Sequence, residues 1–171
     1  MCIRDRIKHP DKKEISLIRN GVDFNFFTPQ KHQKTHHIVF VGNMSYPPNI
    51  VASEFLVNEI LPELNKTRKT YSVLIAGATP HRKVQNLANE QVTISGWIED
   101  IRSAYASAKV FVAPMQIGTG LQNKLLEAMA MEIPVVTTPL ANNALHASEE
   151  VISIGKTANE LALKISELLE D

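Results

Sequence analysis

A single cysteine, Cys2, stands in the 171 residues, so no internal disulfide can form, and no Cys/His spacing matches that of a zinc site. Neither sign of charge is in excess: 18 Lys and Arg are balanced by 18 Asp and Glu, a formal net charge of zero. With that balance nothing favours a nucleic acid or an acidic membrane as an obligatory partner. The local basic clusters at Lys12–Lys13 and Lys66–Lys69 read as solvated surface. No apolar stretch is long enough to cross a bilayer, and signal-peptide architecture is lacking, which by default makes a cytoplasmic chain the expectation. The six histidines are scattered; His36 and His37 directly precede an apolar run and are read as the start of a strand rather than as metal ligands. Met1–Arg6 matches no recognisable element.

What is there is one unit, repeated. The length fits one domain with a single buried core, and an apolar fraction of 44% is that of a soluble globular protein. Ile15–Ile18 is a short apolar run that ends in the turn Asn20-Gly21-Val22-Asp23, and residues 24–35, with Pro29, read as a connector. His37–Gly42 is a continuous apolar run closed by glycine, as expected of a strand buried on both faces. Pro47-Pro48 then opens a helix whose apolar positions, from Val51 and Phe55 to Ile60, Leu61 and Leu64, form one stripe. Further strands are predicted at Tyr71–Ala76, Val92–Ser95, Lys109–Pro114, Pro134–Thr138 and Val151–Ile154. Between them fall helices at Pro80–Ala88, Glu99–Ala108 and Gly120–Met131, and a last helix carries Leu161, Ile165, Leu168 and Leu169. Such alternation implies an α/β fold with a doubly wound, Rossmann-like parallel sheet joined by right-handed crossovers. Ligands bind such sheets beyond the carboxyl ends of the strands, so the loops after Val41, Ala76, Ser95, Ala113 and Thr137 should carry the chemistry.

The richest of these loops is Pro114-Met-Gln-Ile-Gly118-Thr119-Gly120-Leu121-Gln122-Asn123-Lys124, which leads into Leu-Leu-Glu127-Ala-Met-Ala. Its glycines let the backbone approach a ligand closely, and the following helix directs free N–H groups and a positive dipole end at an anion such as phosphate. Lys124 adds a full positive charge. Glu127 lies three residues on along the same face, suited to accept hydrogen bonds from two ribose hydroxyls. Spacing alone leaves a second reading open, a strand-to-helix turn with a Lys124–Glu127 surface ion pair. Gly118-x-Gly120-x-x-Asn123 lacks the third small residue of a dinucleotide fingerprint, and Lys124 lacks the flanking residues of a Walker A loop.

The stretch from Gly118 to Thr138 resembles the donor-site block of glycosyltransferase family 4. Asn20-Gly-Val-Asp23 with Phe27-x-Pro29 resembles that family's lead into its second domain. Phe40-Val-Gly-Asn-Met-Ser-Tyr-Pro-Pro-Asn49 resembles its first strand and loop as found among bacterial polysaccharide-assembly enzymes. Leu74-Ile-Ala-Gly77 and Val92-Thr-Ile-Ser-Gly-Trp97-Ile-Glu-Asp100 resemble later strands. The resemblance runs from about Ile18 to the end, and implies the C-terminal, nucleotide-sugar-binding half of a GT-B enzyme. The implied reaction moves a sugar from a nucleoside-diphosphate donor to an acceptor hydroxyl with retention, in surface polysaccharide synthesis. No cofactor or metal is implied, because such enzymes are similar in stabilising the leaving diphosphate with fixed positive groups.

Carried over residue by residue, the resemblance makes Glu127 the ribose ligand and Lys124 the diphosphate ligand. Thr119 stands where the first glutamate of the Glu-x7-Glu pattern is expected, so sugar contacts fall to its hydroxyl and to the backbone of Gly118, Gly120 and Leu121, beside Asn123. Gly42 and Asn43, after the first strand, are counted among the substrate-binding residues; Asn43 and Gln122 replace arginines of some relatives, which puts more of the leaving-group stabilisation on Lys124. The Trp97–Ile98 backbone is expected at the base edge, and Asp100 as a helix cap. The same register makes residues 1–17 a remnant or artefact plus a link to a missing acceptor domain, and residues 18–171 a donor-binding domain cut short at its end. On that reading the chain alone binds nucleotide weakly and transfers nothing, and any peripheral membrane contact belongs to the missing domain. Rival readings are a non-catalytic nucleotide-sugar-binding module acting with a partner chain, or an epimerase of the same fold, although the Thr119 loop offers no acidic or histidine residue toward the sugar.

Overall fold

The computed structural model describes residues 20–66, 69–118 and 120–170. The readings at Met1–Arg6, Cys2, Lys12–Lys13, Ile15–Ile18 and Thr119 lie outside these residues. Runs of branched apolar residues form six strands: β1 (His36–Val41), β2 (Val73–Ala76), β3 (Val92–Gly96), β4 (Ala108–Ala113), β5 (Val135–Thr137) and β6 (Ser153–Ile154). All pair in parallel, in the order β3-β2-β1-β4-β5-β6. The chain thus forms the α/β, Rossmann-like sheet expected of it. Every residue of β2 is buried, whereas β3 at the edge alternates, with Val92 inside and Thr93 and Ser95 exposed. Covered strands read as continuous apolar runs and the edge strand as an alternating one, for the same reason.

Helices flank the sheet. After β1 a continuous helical run comprises α1 (Pro47–Phe55), a π turn (Leu56–Ile60) and α2 (Leu61–Asn65). The wide turn runs directly into Pro62, which has no N–H for the regular ladder, so the break sits where the covalent chemistry demands one. Next come α3 (Arg82–Gln85), α4 (Ile101–Ala106), α5 (Asn123–Ala130), α6 (Pro139–Asn142) and α7 (Ala158–Glu170). The run from α1 to α2 packs on α7, which reaches β4 and β5, while α4 lies against β1, β2 and β4. Asp100 caps α4 as expected, its Oδ1 accepting from the Arg102 N–H at 3.0 Å. Some elements differ from the sequence reading. The helix expected over Pro80–Ala88 contracts to four residues behind the His81 cap, and α6 was not anticipated. Thr138, expected to end β5, instead caps α6 and donates its hydroxyl to the Met115 carbonyl at 2.7 Å, which anchors the loop after β4.

The connector is tied down. Asp23 Oδ1 accepts from the N–H groups of Asn25 (2.9 Å) and Phe26 (3.2 Å), and the Arg102 guanidinium stacks 4.1 Å from the centre of the Phe26 ring. Phe27 meets Tyr105 of α4 edge-on at 6.3 Å. Lys66 and Lys69, read as solvated surface, pair with Glu63 and Glu170 in exposed ion pairs. Among the described residues no helix is long and apolar enough to cross a membrane.

At the carboxyl ends of β1 and β2 the backbones nearly touch. A Cβ on Gly77, whose φ is +140°, would lie 1.7 Å from the Gly42 carbonyl oxygen. Gly77→Ala is therefore expected to cost more than about 2 kcal/mol, from strain and displacement of the β1 loop together. Gly21→Ala, at an open position with nothing within 4 Å, is expected within about 0.5 kcal/mol of the parent in urea unfolding.

Candidate functional site

Strand order reverses direction between β1 and β4, so the loops that leave these strands part and open a crevice at the carboxyl edge of the sheet. A cleft of about 320 Å³ lies there, walled by Gly42, Asn43, Tyr46 and Asn49 on one side and by Leu121 to Lys124 with Glu127 on the other. A larger hollow of about 610 Å³ lies near the amino ends of β2 and β3. Three of the side chains that line it are engaged with partners: Lys69 binds Glu170 at 2.7 Å, and the Asn65 and Gln91 carboxamides bind each other. The smaller cleft is the one that lies at the carboxyl ends of the strands and holds Lys124 and Glu127.

The helix that closes the cleft begins later than the sequence suggested. Gly118 (φ +117°) and Gly120 (φ +85°) take backbone angles no helix uses, and Gln122 is the extended residue before α5. The expected start at Gly120 is thus corrected to Asn123, and Lys124 is the second helical residue rather than one turn in. Gln122 supplies no side-chain acceptor to the first turn. Leu121 and Gln122, left outside the helix, become cleft wall.

Lys124 is held across the crevice. Its Nζ donates to Asn49 Oδ1 at 2.5 Å and sits 4.7 Å from the centre of the Phe40 ring. Asn49 is itself buried and donates its Nδ2 to the Asn43 carbonyl at 2.9 Å, so one carboxamide ties the β1 loop to the start of α5. Gly42 leaves room for this, since a Cβ there would come within 2.6 Å of Asn49 Nδ2 and 3.1 Å of Lys124 Nζ. The ammonium has a neutral partner and stands at the wrong end of a helix dipole for a cation. Burial pushes its pKa down to about 8, against a smaller upward pull from Glu127.

Glu127, one turn on, does not pair with Lys124. Its Oε2 accepts a hydrogen bond of 2.7 Å from the hydroxyl of Tyr105, which is fully buried on α4. Burial first, then the carboxylate charge, holds that phenol well above its usual range, so it stays a donor.

The remaining sequence-derived candidates divide. Asn43 spends its Oδ1 inside its own loop, accepting from the Ser45 N–H (3.0 Å), the Ser45 hydroxyl (2.8 Å) and the Thr79 hydroxyl (3.1 Å). Asn123 accepts from Asn20 Nδ2 at 3.3 Å, which joins the Asn-Gly-Val-Asp turn to α5. Gly118 lies against Pro48. Trp97, 70% exposed, and Ile98, packed on the core, follow β3 at the edge of the sheet and do not wall this cleft. Thr119 is not among the described residues. Asn49 and Tyr105 were missed: the first shows only as a polar residue in the buried first turn of α1, and the second reads as an ordinary core aromatic. Among the described residues no three His, Cys, Asp or Glu side chains gather as metal ligands would.

Residues 35–171 match the family model of the group 1 glycosyl transferases. The chain belongs to that family. No curated protein sequence matches it. Among solved structures, this group 1 glycosyl transferase is similar to a glycosyltransferase from Rickettsia africae ESF-5, with a TM-score of 0.72 at 16% identity over 98% of this chain and 50% of that one. Anabaena HepE, in a complex with UDP and glucose, matches with a TM-score of 0.72 at 16% identity, over 94% of this chain and 49% of its own. The C-terminal domain of the group 1 protein LpcC from Francisella tularensis matches at 0.66 and 20% identity, over 88% and 89%. At these identities the likeness is one of fold. The group 1 chain spans about half the length of the Rickettsia and Anabaena proteins.

The frustrated lysine has a measurable signature. Its proton leaves the folded chain near pH 8 but the unfolded chain only near the ordinary 10.5, so unfolding takes up a proton between those values and stability rises with pH there. Lys124→Met is expected to abolish that rise. At pH 7 it should raise the melting temperature by roughly 2–4 °C, corresponding to about 1 kcal/mol, less than the full shift because the group still reaches solvent.

Proposed function

We propose that the cleft between β1 and α5 is the donor site of a retaining glycosyltransferase that takes a nucleoside-diphosphate sugar. The carrying observation is the Lys124 ammonium, held in the cleft by a neutral carboxamide at the amino end of α5. A cation placed against burial and dipole is stabilised when an anion arrives, and a diphosphate at the tip of α5 would meet the ammonium and the first-turn N–H groups together. Glu127 then faces the ribose hydroxyls, and the glycine loop at Gly118 and Gly120 lies where the sugar would sit. The base would extend beyond the cleft wall toward Trp97 and Ile98, which follow β3. The family membership and the UDP-bound state of Anabaena HepE support a nucleotide donor.

The acceptor oxygen would bond to the anomeric carbon and pass its proton to the departing diphosphate, while the bond from that carbon to the β-phosphate oxygen breaks and the electron pair leaves with the diphosphate. Lys124 and the α5 dipole stabilise that developing charge, and the reading calls on no metal or cofactor. The acceptor groups and any membrane contact lie, on this reading, outside the 171 residues, and the chain by itself binds donor and transfers nothing. The resemblance to bacterial polysaccharide-assembly enzymes supports a cytoplasmic step of surface polysaccharide synthesis.

Calorimetric titration with UDP, GDP and ADP is the direct test. Lys124→Ala and Glu127→Ala are each expected to weaken the preferred nucleotide at least several-fold, and unchanged affinity in both would remove the assignment. Affinity is also expected to depend on pH with a definite sign. Bound diphosphate keeps the Lys124 proton on, so binding takes up a proton above about pH 8, and affinity should fall by up to tenfold per pH unit there. Lys124→Ala should be flat over the same range.

A further inference from the structure

The Tyr105 hydroxyl is a polar group in an apolar place. The residue is fully buried, with the Phe111 ring at 5.3 Å and the Phe27 ring at 6.3 Å. A buried phenol must spend its hydrogen on some acceptor. This one is spent on α5, at 2.7 Å to Glu127 Oε2, with the Lys124 carbonyl more distant at 3.5 Å. Phenylalanine would fill the same space without that requirement, so packing alone does not explain the hydroxyl.

The geometry suggests what the bond does. Glu127 stands three residues from Lys124 on one face of α5, the spacing at which opposite charges pair. Were they paired, the carboxylate would occupy the cation meant for phosphate and would turn away from the ribose. Instead each charge is held by a neutral partner, Lys124 by Asn49 and Glu127 by Tyr105. The phenol approaches one carboxylate oxygen from the core side, which leaves Oε1 and the remaining lone pair of Oε2 for two adjacent hydroxyls.

We infer that Tyr105 is a positioning residue that aims Glu127 at the vicinal ribose hydroxyls and keeps it off Lys124. The inference rests on the proposed reading of Glu127 as the ribose ligand.

The test compares the dissociation constants of UDP and 2′,3′-dideoxy-UDP for the 171-residue chain, with GDP or ADP pairs substituted if those bases bind better. The wild-type protein should prefer the ribose form by about tenfold, as expected for hydroxyls bonded to a carboxylate, and Glu127→Ala should show almost no preference. Tyr105→Phe, which deletes one oxygen and keeps the ring, should cut the preference to threefold or less. Phe27→Leu serves as the packing control: it should lower the melting temperature and leave the preference intact, whereas a merely structural role for Tyr105 would make both variants lose it alike. A Tyr105→Phe protein that melts cooperatively and keeps the full preference overturns the positioning role alone. A wild-type protein with no preference, or a Glu127→Ala variant that retains it, overturns the ribose assignment and this inference with it.

Discussion

The arrangement on which the site turns is an ammonium with a neutral hydrogen-bond partner. Lys124 stands partly buried in the first turn of α5, where both desolvation and the helix dipole disfavour a cation, and what meets it is the Asn49 carboxamide rather than a carboxylate. A carboxylate partner would relieve the lysine and fill the site. A carboxamide fixes its direction and leaves its charge unbalanced. On the proposed donor-site reading, binding energy is in this way stored as a local instability, an exchange of stability for function.

Much of the surrounding structure serves that placement. Asn49 is available only because Pro47-Pro48 start α1 immediately after the β1 loop, which puts position 49 in a buried first turn. Gly42 has to be glycine for the carboxamide and the ammonium to lie over it, and Gly77 has to be glycine for the Gly42 carbonyl to stay where it is. The chain of requirements passes from β2 through β1 to α5 without a break. It crosses the point where strand order reverses, which is where doubly wound sheets open toward ligands. The resemblance in fold to the proteins from Rickettsia, Anabaena and Francisella, at identities of 16–20%, fits this picture. Architecture survives wide sequence change when the backbone constraints are local and few.

The second charge is managed in the same way. Glu127 would be a natural partner for Lys124 by helical spacing, yet its carboxylate is turned toward the core hydroxyl of Tyr105. Tyr105 in turn is packed by Phe27 of the connector, so the segment that leads into the domain bears on the underside of the site. Two opposite charges three residues apart on one helix are thus kept from neutralising each other by neutral groups on two different elements.

Elements with strong local signals were legible from the residues in order. The apolar runs and their spacing predicted six strands and the parallel α/β sheet, the Asp100 cap followed from its side chain, and the loop leading to Lys124 and Glu127 stood out among those at the carboxyl edge of the sheet, where the structure has a cleft. Errors arose where a local signal was outweighed. The start of α5 moved from Gly120 to Asn123 because backbone angles at two glycines, invisible to periodicity, hold the chain out of the helix. Asn49 and Tyr105 carry no local mark at all: each matters through a partner 75 and 22 residues away. The residues alone determined which charges the protein has near its helix tip. Only the tertiary structure decided that those charges would be held apart, because a hydrogen bond between distant segments exists only once the sheet has brought their loops together.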